Sequence, residues 1–206
     1  MKPISLPAGT TVTSFLEEVL AAEHATRVTD DAAETHVIHA RVDGLGEFTV
    51  TVRGRELSVE RGLVGKAQLW VATDLACAER ALADALGDGA LLPDVRDPSS
   101  VPAVTDPRLL RRLAMVSGTV RAELTGFGDA PLWVAFGAGA KASRIDDERT
   151  DAEVSVPMSV LSQLLTLSKR PDEALKDAAV KTKGNLFVPM QVALALAILL
   201  PAGPQR

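Results

Sequence analysis

The sequence predicts an α+β fold, an antiparallel, mixed-edge sheet covered by helices and built as a duplicated ββββα unit. Three observations carry this expectation. The stretch Glu47 to Arg53 alternates apolar and polar residues strictly, as a half-buried strand does, while Ser14 to Ala25 and Ser159 to Leu167 repeat their apolar residues at helical spacing. The same order of strands, turns and helix then returns about 82 residues later.

Ser14 precedes Glu17 by three residues and opens an apolar-periodic run through Phe15, Leu16, Val19 and Leu20, so a capping box is expected to start a helix over 14–25. Strands are expected at His36 to Val42, Glu47 to Arg53, Arg55 to Glu60 and Ala67 to Ala72, separated by glycine turns at Gly44-Leu45-Gly46, Gly54 and Gly62 to Gly65. In the second strand Phe48, Val50 and Val52 share one face. A helix follows, with Leu75, Ala78, Leu82, Ala85 and Leu86 on one stripe.

Residues 87–106 collect Gly87, Gly89, Pro93, Pro98, Ser99, Ser100 and Pro102, which no regular element tolerates. The chain therefore divides into a first unit at 1–86, a linker at 87–106 and a second unit at 107–206. Asp106 followed by Pro107 supplies an N-cap and a proline at the first helical position, predicting a short basic helix from Pro107 to about Val116. After Gly118, His39 to Gly46 lies over Arg121 to Gly128 at an offset of 82, and Ala67-Gln68-Leu69 over Ala152-Glu153-Val154 at 85.

Composition narrows the function. The chain has 206 residues, 47% of them hydrophobic and 24% charged, which is the make-up of a compact globule. Aromatic residues are 3%, with no Tyr and only two Trp, Trp70 and Trp133, and the net charge is −5. Nucleic acid is therefore not an expected partner, since its binding needs cationic tracks and stacking surfaces. A single cysteine and an N-terminus without basic-then-apolar order point to the cytoplasm. The longest apolar run, Val188 to Leu200, is interrupted by Pro189 and Gln191 and is too short to span a bilayer, so no stable membrane insertion is expected.

Catalytic readings fail on the residue inventory. His24, His36 and His39 are the three histidines, and His36 and His39, three apart on a strand, point to opposite faces. Cys77 sits between Ala76 and Ala78 and reads as a small buried thiol. Asp146, Asp147, Glu148 and Asp151 adjoin Arg144 and Arg149 and read as a solvated charge cluster. No catalytic residue, metal site or cofactor is expected, and the chain is read as not an enzyme.

From about Gly118 to residue 200 the second unit resembles a sterol carrier protein type 2 domain. The resemblance rests on Ala152 to Met158 entering the helix Ser159 to Leu167, the short helix Pro171 to Leu175, the lysine strand Ala178 to Lys183, the Gly184-Asn185 turn and the apolar closing helix. It implies a tunnel for a fatty acyl, sterol or isoprenoid molecule, enclosed by the two helices and the sheet's concave face. The first unit, over about 36–86, resembles the family more weakly; it lacks the lysine strand, the turn and the closing helix, which implies a role in extending or covering the second.

The closing helix, expected over Leu186 to Leu200, is apolar almost all round, and Ser159 to Ser168 has one apolar face with Ser159, Ser162, Gln163 and Thr166 turned away. Leu161, Leu164, Leu165, Phe187, Met190 and Leu194 are the candidate lining residues for a hydrophobic small molecule. Two other occupants satisfy the same helix: its own core at native density, or a protein partner or second copy docked on it. Lys181 and Lys183 share a strand face, where they either guide an anionic head group or guard an edge strand.

Overall fold

The computed structural model describes residues 9–29, 33–83, 104–126, 132–136, 150–165 and 169–197. Its centre is one eight-stranded sheet in the order β3-β2-β1-β4-β6-β5-β7-β8. The strands are β1 (Thr35–Asp43), β2 (Gly46–Arg53), β3 (Glu56–Arg61), β4 (Leu69–Asp74), β5 (Val120–Thr125), β6 (Leu132–Phe136), β7 (Ala152–Pro157) and β8 (Lys181–Gly184). The helices are α1 (Val12–Ser14), a π-helical segment Phe15–Val19, α2 (Leu20–Arg27), α3 (Leu75–Ala83), α4 (Pro107–Leu113), α5 (Met158–Leu165), α6 (Pro171–Ala174) and α7 (Phe187–Ala197).

The two halves of the chain therefore share a single sheet, joined where β4 pairs antiparallel with β6. Each half contains a hairpin and a parallel pair: β1 pairs antiparallel with β2 and parallel with β4, and β5 pairs antiparallel with β6 and parallel with β7. The parallel pairs lie inside the sheet, and both edge pairs are antiparallel. Ile38 stands opposite Leu69, as Val120 stands opposite Ala152. Leu69 and Ala152 are 83 residues apart, whereas the local sequence match set Leu69 over Val154 at 85. Gly44 and Gly126 both turn at positive φ, 91° and 93°, and each packs against the first residue of the following helix, Leu75 or Met158. Gly128 lies outside the described residues.

One face of the sheet is apolar and carries the helices. Ile38, Val50, Val52 and Leu69 cluster there with Leu110 of α4, flanked by Leu20, Leu57, Val59 and Val71. A second cluster joins Leu109, Leu113 and Val116 to Val120 and Ala152 under Val188, Val192 and Ala195 of α7. The short helix after the linker is thus a wedge between the halves. Its expected cap forms: Asp106 accepts the Arg108 N–H at 2.8 Å, and Pro107 occupies the first turn.

The first helix starts earlier than expected. Thr11 is the N-cap, its hydroxyl taking the Ser14 N–H at 3.1 Å while the Ser14 hydroxyl takes the Thr11 N–H at 2.9 Å. Ser14 therefore closes the capping box rather than opening it, and Glu17 instead pairs with Arg61 at 2.8 Å. Ala85 and Leu86 of the predicted stripe lie outside the described residues.

All three histidines are buried, and hydrogen bonds account for two of them in the scaffold. His24 Nε2 donates to the Gly54 carbonyl at 2.8 Å, and its Nδ1 lies 3.0 Å from the Thr105 hydroxyl. His39 Nε2 donates to the Val64 carbonyl at 3.0 Å, tying β1 to the crossover that leads from β3 to β4. His36 Nε2 lies 3.8 Å from the Glu34 carboxylate. Cys77 is buried beside Met158. Among the described residues no group of three or more His, Cys, Asp or Glu is placed to hold a metal ion, and no helix is long and apolar enough to cross a membrane.

Candidate functional site

The closing helix is held by a clip that the sequence shows only as a Gly-Asn turn. Gly184 has φ 89°, and a Cβ there would lie 2.4 Å from the Asp151 carbonyl oxygen, so any larger residue would have to displace backbone. The Asn185 N–H donates to that carbonyl at 2.8 Å, and the Asn185 side chain accepts the Phe187 N–H at 3.0 Å, satisfying one of the free donors of the helix start. The Asp151 carboxylate takes the Thr119 N–H at 2.8 Å. Asp151, expected in a solvated charge cluster, therefore ties the starts of β5 and β7 to the entry of α7; Arg144 to Arg149 lie outside the described residues. Further along, the Ser117 N–H donates to Gln191 Oε1 at 2.8 Å, fixing the rotation of α7 against the end of α4.

With its rotation fixed, α7 buries Val188, Val192 and Ala195 against α4 and the sheet. The opposite side faces solvent and is also apolar: Leu186 is 54%, Phe187 63%, Met190 51% and Leu194 72% exposed. Phe187, Met190 and Leu194 follow at i, i+3 and i+7, so they form one stripe along the helix. The expectation that α7 would be covered on every side is met on the inner face only. The three α7 candidates thus point away from the sheet, and the space between α7 and the sheet is occupied by its own core residues.

The α5 candidates lie elsewhere. Leu161 packs with Cys77, Met158, Ala81 and Leu124, and Leu164 is partly buried. The Leu165 side chain lies outside the described residues. Ser162, expected to face solvent, is 1% exposed, one turn along α5 from the buried Met158. α6 touches both α5 and α7. No described core cluster brings the six candidates together.

The lysine strand is shorter than expected, Lys181–Gly184, with Ala178 to Val180 in the preceding turn. Lys181 and Lys183 stand opposite Ser155 and Glu153, whereas Ala152 lies under α7. Strand alternation therefore turns both lysines to the face away from the closing helix. Lys183 lies 3.7 Å from Glu153, which also pairs with Arg121. This geometry fits a guarded edge strand and separates the lysines from the apolar stripe.

Three carboxylates are held below their ordinary range. Burial raises the Asp106 carboxyl, but the hydrogen bonds and charge of Arg108 outweigh it and lower it overall. Asp177 is lowered by its hydrogen bond from Lys169, and Glu34 by Arg111. All three belong to helix ends or surface ion pairs, and none adjoins the α7 stripe in the bonds described.

Residues 102–197 match the model of the SCP-2 sterol transfer family. The match begins before Gly118, where the sequence resemblance was clearest, and takes in α4. Among solved structures, sterol carrier protein 2 from Yarrowia lipolytica in its apo form is 12% identical, over 56% of this chain and 90% of that one, with a TM-score of 0.31. That likeness is too loose to assign a role to any residue. No curated protein matches the sequence.

Proposed function

We propose that this chain, whose residues 102–197 carry the SCP-2 sterol transfer match, binds and transfers a hydrophobic small molecule of fatty acyl, sterol or isoprenoid type without catalysis. The observation that carries the reading is the outer stripe of α7. Phe187, Met190 and Leu194 stand in solvent on a helix with no charged residue, within the family-matched segment. Burial contributes about 25 cal/mol per Å² of apolar surface, so such a stripe gains from a ligand laid along it. Leu161, Leu164 and Leu165 of α5 are proposed as the facing wall, and the tunnel runs beside α7 rather than beneath it.

The same proposal treats the halves as two copies of one ββββα unit, at 1–86 and 107–206, with 87–106 as the connection. The matching registers of β1 with β4 and of β5 with β7 support it. A soluble cytoplasmic protein fits this reading. Solvent extraction of the protein from its own host, followed by mass spectrometry, tests the ligand directly. A co-purifying lipid at a fixed ratio is expected, and protein that is consistently free of lipid but fully folded would end the reading.

A second reading is favoured by the depth of that exposure: the stripe docks a protein partner or a second copy, and no small molecule is involved. Sedimentation at increasing concentration separates the two. A monomer throughout, with bound lipid, excludes self-docking.

A further inference from the structure

The first half of the sheet ends at α3, yet its apolar face is not open. In the second half, Val120 and Ala152 lie under Val188, Val192 and Ala195 of α7. Their register counterparts in the first half, Ile38 and Leu69, lie instead with Leu110 of α4. The outer edge of β7 is paired by β8, with Ala152 opposite Gly184. The outer edge of β4 is paired by β6, with Leu69 opposite Phe136. In both halves the closing strand runs antiparallel. Each closing piece that the first half lacks in sequence is thus supplied from the second.

We infer that α4 and β6 complete the first half as α7 and β8 complete the second, and that Leu110 plugs the space over β1 and β4. A hydrophobic ligand is then left one place per chain, in the second half. The inference rests on the reading of the halves as copies and deepens the proposed function by locating its site. The outer surfaces support it. The plugged half sets Ile38, Leu69 and Leu110 against one another, with Leu110 fully buried, and close-packed leucines and isoleucines leave no room for a guest. The space under α7 is likewise filled by core residues, but α4 turns the charged Arg108 and Arg112 outward where α7 turns Phe187, Met190 and Leu194. α4 does this while facing both ways: Leu109 and Leu113 serve the cluster under α7, and Leu110 serves the first half.

The test uses the full chain and xenon as a probe of apolar space. Leu110→Ala should melt about 5–15 °C lower than the parent and gain a xenon site over Ile38 and Leu69 that the parent lacks. If that variant does not fold, Leu110→Val should show the same site with a smaller shift. A dansyl-labelled fatty acid should bind the parent at one per chain. Xenon over Ile38 and Leu69 in the parent, an unchanged melting point in Leu110→Ala, or two fatty acids per parent chain would overturn the inference. Should the parent bind no fatty acid, the proposed function fails, and the xenon and melting results alone decide whether Leu110 is a plug.

Discussion

Helices α4 and α7 lie side by side on the same face of the sheet, yet they treat solvent differently. α4 turns Pro107, Leu109, Leu110 and Leu113 inward and presents Arg108 and Arg112 to water, the ordinary arrangement of an amphipathic helix. α7 buries Val188, Val192 and Ala195 and then presents Phe187, Met190 and Leu194 on the other side. The contrast separates stability from function. An apolar side chain that packs is explained by the core, whereas three exposed ones on a single helix exceed what the core requires.

If the contrast is correct, inward substitutions should cost stability and outward ones should not. The largest effect is expected at Leu113, fully buried in the cluster shared by α4 and α7. Leu113→Ala should destabilise by about 2–5 kcal/mol in denaturant unfolding. Gly184→Ala comes next, at about 1–3 kcal/mol, because the residue turns at positive φ with the Asp151 backbone in contact. That variant should also loosen α7, seen as faster amide exchange at Val188 and Val192.

Asp106→Ala removes the cap of α4 and should cost about 0.5–2 kcal/mol at neutral pH. The pH dependence has a definite sign. The folded carboxyl is held below the ordinary aspartate value, so in acid the unfolded chain takes up the proton first. The contribution is complete above about pH 4 and is lost as pH falls through the lowered folded value. Parent and variant should therefore converge in stability on acidification, and an unchanged gap down to the acid limit would remove the carboxylate from the account.

Much of this architecture was legible in the sequence. Alternation at Phe48, Val50 and Val52 specified a strand face that is almost wholly buried, and Asp106-Pro107 specified the start of α4. The glycines at 44 and 126 marked two turns, and both adopt a positive φ. The helix start at Thr11 was missed because Ser14 and Glu17 offered a second, equally spaced capping pattern. Side-chain direction on α7 was not legible at all: a helix apolar on every side has no periodicity to reveal which face packs. The rotation is set by Gln191 bonding to Ser117 and by the Asp151 clip, contacts 74 and 34 residues apart in the chain. Leu194 was accordingly expected to be covered, yet it is 72% exposed.

The smallest stability effect and the most informative binding effect belong to the same variant. Phe187→Ser with Leu194→Ser alters only the outer stripe, so its unfolding free energy should stay within about 1 kcal/mol of the parent. Titration of parent and double variant with a dansyl-labelled fatty acid tests the central claim most directly. The account predicts saturable binding by the parent and an affinity at least about 10-fold weaker in the variant, equivalent to about 1.4 kcal/mol. Equal affinity in the two proteins, or a parent that binds nothing while remaining folded, would contradict it.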